Sequence, residues 1–300
     1  MRVLITGGCG FIGKNIGYEL RDKHTVVSVD DLRSGNAGDV PWENRTIDIT
    51  SDNIRSVVST LDPDVVIHAA AQINVRTSTD DPVFDAEQNI LGTMNVLEAC
   101  EQTGIEQFIY LSTGGARYGE PDSLPVSETD RPLPKAPYGI SKYAAEHYVR
   151  YYAERNDWKH TTLCFGNVYG RHDDPGTGRL IPLFIDMYQR GEQPVIYGDG
   201  EQTRDFVLAA DIASLLRRVV GESSNQSIYN VASGEQTTVN TVVSLLERYL
   251  DPDVSARHGD ARDGEVREIE LDISRVNDEF DFQPTSIEDG LEHTVAWFER

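Results

Sequence analysis

The sequence is short of several things, and each shortage excludes something. Of its 300 residues only Cys9, Cys100 and Cys164 are cysteine, an odd number set far apart. They fit reduced thiols and make neither a disulfide frame nor a CxxC metal site. Lysine is scarce too: five of the 27 basic residues are Lys and the other 22 are Arg. Against 50 acidic residues the net charge is −23. A chain with no basic patch is not built for nucleic acid. No apolar run approaches the ~18 residues of a membrane span. The N-terminus enters a strand at residue 2, with no leader or cleavage site, so a cytoplasmic protein with no membrane partner is expected.

What is present begins with Arg2-Val-Leu-Ile-Thr6, an apolar, β-branched run that reads as a buried parallel strand. It breaks at Gly7-Gly8 and restarts as a helix carrying Gly10 and Gly13. A strand, a tight glycine turn and a helix N-terminus make an anion site, where backbone N–H groups and the helix dipole meet a pyrophosphate. The spacing is GxxGxxG rather than the commoner GxGxxG, and alone such a turn can be only a turn. A second strand, 25–29, ends at Asp30-Asp31. Asp30 falls 20 residues past Gly10, where a dinucleotide fold places a carboxylate on the adenosine ribose. It would repel a 2′-phosphate and so favour NAD over NADP, although Arg33 nearby could receive that phosphate. Two exposed turn acids are the plainer alternative.

Strands are expected again at 45–49, 64–68 and 107–111, and helices at 11–23 and 82–103. Strand and helix alternate through the first 165 residues, which implies a parallel, doubly wound sheet. Its ligand should lie at the carboxyl ends of the strands: Gly7, Asp30, Asp48, Ala69 and Ser112-Thr113. Small residues at Ala69-Ala70-Ala71 would let a cofactor lie against the backbone. His68, on an apolar strand, is expected to be a packed, hydrogen-bonded residue and not a catalytic one. After residue 166 loops and short strands take over, and this half is expected to close over the cleft of the first.

Tyr138 and Lys142 stand at i and i+4, on one face of a helix. An ammonium beside a phenol lowers the phenol's pKa and lets it serve as base or acid. Ser112 and Thr113, about 25 residues upstream, offer a hydroxyl to share the substrate's proton. YxxxK is common by chance. Here the glycine turn, the ribose acid, the hydroxyl and the Tyr/Lys pair stand in the order one cleft needs.

Together these motifs, with Asn89-Ile-Leu-Gly-Thr93, Tyr118-Gly119, Gly166-Asn167-Val-Tyr-Gly170 and Arg204-Asp205-Phe206, resemble the extended short-chain dehydrogenase/reductase family across essentially the whole chain. The likeness is to its nucleotide-sugar epimerase/dehydratase branch, and within that to UDP-glucose 4-epimerases. The resemblance implies an α/β fold: a Rossmann-type NAD-binding domain over 1–165, rejoined by part of 205–230, and a smaller α/β nucleotide-sugar-binding domain over 166–300. It implies NAD as cofactor, a UDP-sugar as substrate and a homodimer formed through the helices near 82–103 and 138–155.

It also implies roles. Gly7, Gly10 and Gly13, with backbone at Phe11 and Ile12, would hold the pyrophosphate. Asp30 and Asp31, with Ser34 and Gly35, would surround the adenosine ribose, and Asp48 and Ile49 would flank adenine. Ala69, Ala70 and Asn89 would line the path to the nicotinamide, whose ribose Lys142 would hold. Tyr138, Lys142 and Thr113 would be catalytic, with Ser112 the other candidate hydroxyl. Asn167, Tyr197, Arg204, Arg262 and Glu265 would hold the sugar nucleotide. The implied reaction is inversion at C4 of a UDP-hexose, glucose to galactose, through a 4-keto sugar.

Three departures bear on that outcome. Related dehydratases and decarboxylases resemble one another in an acid after the threonine, and Gly114-Gly115 offer none. Arg179 stands where some epimerases have Asn, and Ile269 where some have Tyr; the smaller Ile269 would admit an N-acetylated sugar. UDP-glucuronate and UDP-N-acetylhexosamine epimerases, a dehydratase, a net oxidoreductase and a non-catalytic NAD-binding regulator are the rival readings. The acid-rich, lysine-poor composition is also similar to that of salt-adapted proteins, which a stability series in KCl would test; an ordinary acidic protein is the alternative.

Overall fold

A computed structural model describes residues 1–224, 226–261 and 266–299. In chain order the first half runs β1 (Arg2–Thr6), α1 (Phe11–Leu20), β2 (Thr25–Asp30), β3 (Glu43–Thr46), α2 (Ile54–Leu61) and β4 (Val65–His68). It continues α3 (Val75–Asp80), α4 (Pro82–Ala86), α5 (Gly92–Glu101), β5 (Gln107–Thr113), α6 (Gly115–Tyr118), α7 (Pro137–Asn156) and β6 (Lys159–Phe165). Then come β7 (Asn167–Tyr169), α8 (Leu180–Gln189), β8 (Val195–Tyr197), β9 (Thr203–Arg204), β10 (Phe206–Leu208) and α9 (Ala209–Val219). Last are β11 (Ile228–Val231), β12 (Thr237–Thr238), α10 (Val239–Leu250), β13 (Arg257–Gly259), α11 (Ser274–Phe280) and α12 (Ile287–Phe298).

Seven strands form one parallel sheet in the order β11-β6-β5-β4-β1-β2-β3. The chain leaves β1 in one direction through β2 and β3, then starts again at β4 in the other. The switch point therefore lies between β1 and β4, the place where open α/β sheets take their ligands. Both faces are covered, so the central strands are apolar throughout. On one face Val3, Ile5, Ile109 and Leu163 pack with Ile16 and Leu20 of α1 and Ile212 and Leu216 of α9. On the other, Leu4, Val66, Phe108 and Tyr110 pack with Val58, Val96, Leu97 and Val149 from α2, α5 and α7. A separate core of Tyr169, Ile181, Phe184, Ile185, Leu246 and Leu291 gathers the second half. Beside it stand three two-stranded ribbons, β10-β7, β12-β9 and β13-β8. The chain's return to the large sheet is made by β11, paired with β6, and by α9.

Two local details matter for the site. The expected strand at 45–49 ends at Thr46. Beyond it the Asp48 carboxylate accepts from Thr50 N at 2.8 Å, an Asx-type turn that draws the backbone out of the ladder. The expected helix at 82–103 starts as foreseen, with Pro82 in its first turn and the Asp81 carboxylate accepting from Phe84 N at 3.0 Å. It then carries a π-helical turn at Glu87–Leu91, a feature often found where a helix builds a site. Among the described residues no helix is long and apolar enough to cross a membrane.

Candidate active site

At the β1/β4 switch point lies a cavity of about 330 Å³. Its walls include Gly7, Gly10, Phe11, Ile12, Gly13, Asp30, Asp31, Ser34, Ile49, Ala69 and Ala70, eleven of the residues expected to hold a dinucleotide. Tight backbone packing explains two of the glycines. Gly7 has φ +69°, and a Cβ there would meet Ala70 N at 2.8 Å; a Cβ on Gly13 would run into Gly7 O. Gly10 differs: an added Cβ would meet only Gly7 O, at an ordinary 3.4 Å. The space over Gly10 is not claimed by the protein's own packing. An open concavity at the N-terminus of α1, with an acid at the end of β2, fits a dinucleotide.

Asp30 is buried, and burial raises its pKa. Backbone donors from Leu32 at 2.8 Å and Cys9 at 2.9 Å oppose that rise. Arg33 is already engaged. Its guanidinium pairs with Asp31 at 3.0 Å and with Asp48, donates to Gln88 Oε1 at 3.0 Å and lies over the Phe84 ring.

Three expected cofactor residues support the wall without lining the cavity. Asp48 grips Arg33 and Thr50. Gly35 backs onto Cys9, whose carbonyl oxygen an added Cβ would approach to 2.5 Å. Asn89 is buried and clamps Gln72, accepting from its N–H and donating to its C=O, both at 2.9 Å. His68 is core, as expected. Thr6 Oγ1 lies 2.7 Å from Nδ1 and Thr93 Oγ1 3.0 Å from Nε2, and burial pushes its pKa down to about 3. Because Thr93 donates to Asn89 O at 2.7 Å, it accepts from the imidazole, which fixes the tautomer with the proton on Nε2.

The two candidate hydroxyls separate cleanly. Thr113 reaches Tyr138 with its hydroxyl and helps hold the phenol's pKa down; Tyr138 itself is half-buried at the start of α7. Ser112 faces away and donates to Glu146 Oε1 at 2.6 Å. Glu146, one turn beyond Lys142, also pairs with the buried Arg117. Ser112 thus belongs to a buried structural network, and its expected contact with the substrate is corrected to that extent.

Electrostatics at the pair also differ from expectation. Burial pushes the Tyr138 phenol up to about 12, and the Thr113 hydrogen bond and the Arg179 guanidinium pull it back in part. Lys142 shares its helix face, and its ammonium rests over the Tyr110 ring, 4.2 Å from the centroid. Burial brings Lys142 down to about 7. Spacing alone put a phenol-lowering cation beside Tyr138; burial of both groups works against that effect, raising the phenol and lowering the ammonium.

Arg179 links the two regions. It lines the cavity, lies over the Phe11 ring at 5.1 Å, pairs with buried Asp173 and reaches Tyr138 with its field. The sugar-nucleotide residues are spread more widely. Asn167 is exposed at the head of β7, and Tyr197 is exposed on β8. Arg204, on β9, donates to Thr203 O and Val266 O at 2.7 and 2.8 Å. None of the three lines the cavity described above. Arg262 and Glu265 lie outside the described residues. Ile269 is buried with Tyr118, Val126, Ala232 and Leu271. A Cβ on Gly114 would meet the end of the Leu271 side chain, which would have to move aside.

Three supporting residues were not foreseen. Asp85, Gln72 and Glu146 gave no composition signal, although Asp85 stands one helical turn before Asn89 and Glu146 one turn after Lys142.

This geometry is that of a nucleotide-cofactor enzyme. Residues 3–232 match the model of the NAD dependent epimerase/dehydratase family, and the chain belongs to that family. The putative UDP-glucose 4-epimerase of Methanocaldococcus jannaschii is 36% identical, over 98% of this chain and 97% of that protein. The crystal structure of Thermotoga maritima UDP-glucose 4-epimerase with UDP-glucose superposes with a TM-score of 0.95 at 35% identity, covering 100% of this chain and 99% of that one. The Thermus thermophilus UDP-glucose 4-epimerase in complex with NAD gives 0.93 at 33% identity, with the same coverage.

Proposed function

We propose that the chain is an NAD-dependent nucleotide-sugar epimerase that inverts C4 of a UDP-hexose, interconverting UDP-glucose and UDP-galactose. The observation that carries this is the Thr113 hydroxyl acting on Tyr138 at the carboxyl end of β5, with glycine and not an acid at 114 and 115. A phenol and a hydroxyl suit proton transfer at a carbinol. The missing acid leaves no group for the second proton transfer that a dehydratase needs.

The residues divide the work. Gly7, Gly10 and Gly13 with the N-terminus of α1 hold the pyrophosphate, and Asp30 takes the ribose hydroxyls. NAD, when bound there, supplies the oxidising power at C4 and returns it. Tyr138 takes the C4 hydroxyl proton, Thr113 shares it, and Tyr138 gives it back to the opposite face after the sugar has turned. Lys142, poised by the Tyr110 ring, holds the ribose beside that phenol. Asn167, Tyr197, Arg204, Arg262 and Glu265 hold the sugar nucleotide.

One feature favours a second reading, a UDP-hexuronate as substrate: the Arg179 guanidinium, which stands within electrostatic reach of Tyr138. A panel of UDP-glucose, UDP-glucuronate and UDP-N-acetylglucosamine, with products resolved by NMR, decides. Interconversion of UDP-glucose and UDP-galactose without accumulated NADH supports the first reading. Turnover of the uronate alone replaces it with the second, and stoichiometric NADH overturns both.

The proposal extends to a cytoplasmic homodimer. Val83, Leu91, Ile140 and Tyr151 are exposed on the 82–101 helical stretch and α7, the surfaces expected to meet a symmetry mate. Light scattering on the eluting protein gives the mass that tests it.

A further inference from the structure

Asp85 lies on α4 with no exposed surface. Its Oδ1 accepts from Gln72 Nε2 at 2.7 Å and from Asn89 Nδ2 at 3.0 Å. Its Oδ2 is equally cut off from solvent and has no hydrogen-bond partner among the described residues. A buried carboxylate oxygen without a donor is costly, and folds seldom keep one without use.

The surroundings suggest the use. The α4 segment packs along α7, and the Asp85 carboxylate lies within the electrostatic reach of both Lys142 and Tyr138. Lys142 is 3% exposed and, among the described residues, makes no ion pair. The groups facing it are the Tyr110 ring from β5, Cys164 from β6, His68 from β4 and Asp85 from α4. His68 is neutral there, and burial pushes the Cys164 thiol up to about 11. Asp85 is the carboxylate among these groups. Tyr138 is faced by Thr113 from β5, Arg179 from the head of α8 and, again, Asp85. The same acid therefore favours the lysine's cation and disfavours the tyrosine's anion.

We propose that Asp85 is a positioning residue of this active site: one carboxylate oxygen fixes the Gln72–Asn89 clamp, and the other stays free so that the acid's charge keeps Lys142 an ammonium. The consequence for Tyr138 rests on the epimerase reading above; the hold on Lys142 does not. With the charge in place Lys142 can still donate to a ribose hydroxyl at neutral pH, although burial works against its cation. Without it the lysine becomes a neutral amine over the Tyr110 ring.

The chain's shortage of lysine makes this measurable. With ¹³Cε-lysine the protein, isolated with its bound cofactor, gives five side-chain signals, from Lys14, Lys23, Lys135, Lys142 and Lys159. A K142R variant identifies the Lys142 signal. That signal should titrate near 7 in the parent protein. In D85N, which keeps an amide to bond with the clamp, the midpoint should fall, and in D85E it should stay near the parent value. An unmoved midpoint in folded D85N overturns the proposal. Should D85N not fold, D85E carries the test: a midpoint that drops although the charge is kept also overturns it. Activity gives a second readout, since the pH profile of kcat should shift to lower pH in D85N while KM for the UDP-sugar holds. Absence of epimerase activity in the parent would defeat the functional reading and leave the titration result standing.

Discussion

The two sides of this site are held by different kinds of structure. On one side, Gly7, Asp30, Ala69 and Thr113 hang from the carboxyl ends of four strands of a single seven-stranded sheet. That sheet is apolar on both faces and clamped by helices. On the other side, Asn167, Tyr197 and Arg204 ride on ribbons whose strands are two or three residues long. A side chain on a packed sheet is fixed closely enough for proton transfer. A side chain on a short ribbon can shift with its ligand. The sheet side is thus suited to chemistry that does not change, and the ribbon side to a substrate that can vary.

The largest effects should come from the sheet side. Tyr138→Phe removes the phenol on which the Thr113 hydroxyl acts and should lower kcat by ~10²–10⁴-fold with bound cofactor unchanged. Arg204→Ala on the ribbon side should instead raise KM for the UDP-sugar while kcat changes by only a few-fold, the pattern of lost uniform binding. Steady-state kinetics on the two variants make the comparison. It breaks if Arg204→Ala damages kcat as severely as Tyr138→Phe.

A finer contrast lies within β5. Thr113→Ala should lower kcat by about ten-fold or more, with the folded protein intact, since its hydroxyl serves Tyr138. Ser112→Ala should do the reverse. It leaves Glu146 Oε1 without its donor in a buried network, at about 1–3 kcal/mol of stability, while turnover per folded molecule stays close to the parent's. Urea unfolding and kinetics on both variants test the pair. Equal losses of turnover would place both hydroxyls at the substrate.

The same division governs what the sequence made visible. The alternation of apolar strands and helices, the glycine turn and the acid at Asp30 all follow from local rules, period-2 and period-3.6 patterning and backbone sterics, and the sheet is parallel and doubly wound, as that alternation implies. Tyr138 and Lys142 were visible as a spacing. Their electrostatics were not, because the burial that shifts both groups, and the Tyr110 ring beneath the lysine, come from other parts of the chain. Ser112 and Thr113 could not be told apart for the same reason: the deciding partner, Glu146, is 34 residues away along the chain. Asp85 was hidden by the π-helical turn at Glu87–Leu91, which no propensity signals.

The smallest expected effect concerns cofactor choice, where the sequence left Arg33 as a possible receptor for a 2′-phosphate. Arg33 is spoken for by Asp31, Asp48 and Gln88, with Phe84 beneath its face. To serve a phosphate it would have to leave two carboxylates, and the phosphate would arrive beside Asp30 and Asp31. Each of these pairs is partly exposed and individually worth no more than about 1 kcal/mol, so their joint hold matters more than any one bond. Arg33→Leu should therefore shift the preference between NAD and NADP by less than about threefold, whereas Asp30→Ala should weaken NAD and relax the discrimination. Competition binding with the two dinucleotides reads both. A loss of NADP affinity of tenfold or more in Arg33→Leu, with NAD unaffected, would make Arg33 a phosphate receptor and transfer cofactor choice from the strand end at Asp30 to the loop that follows it.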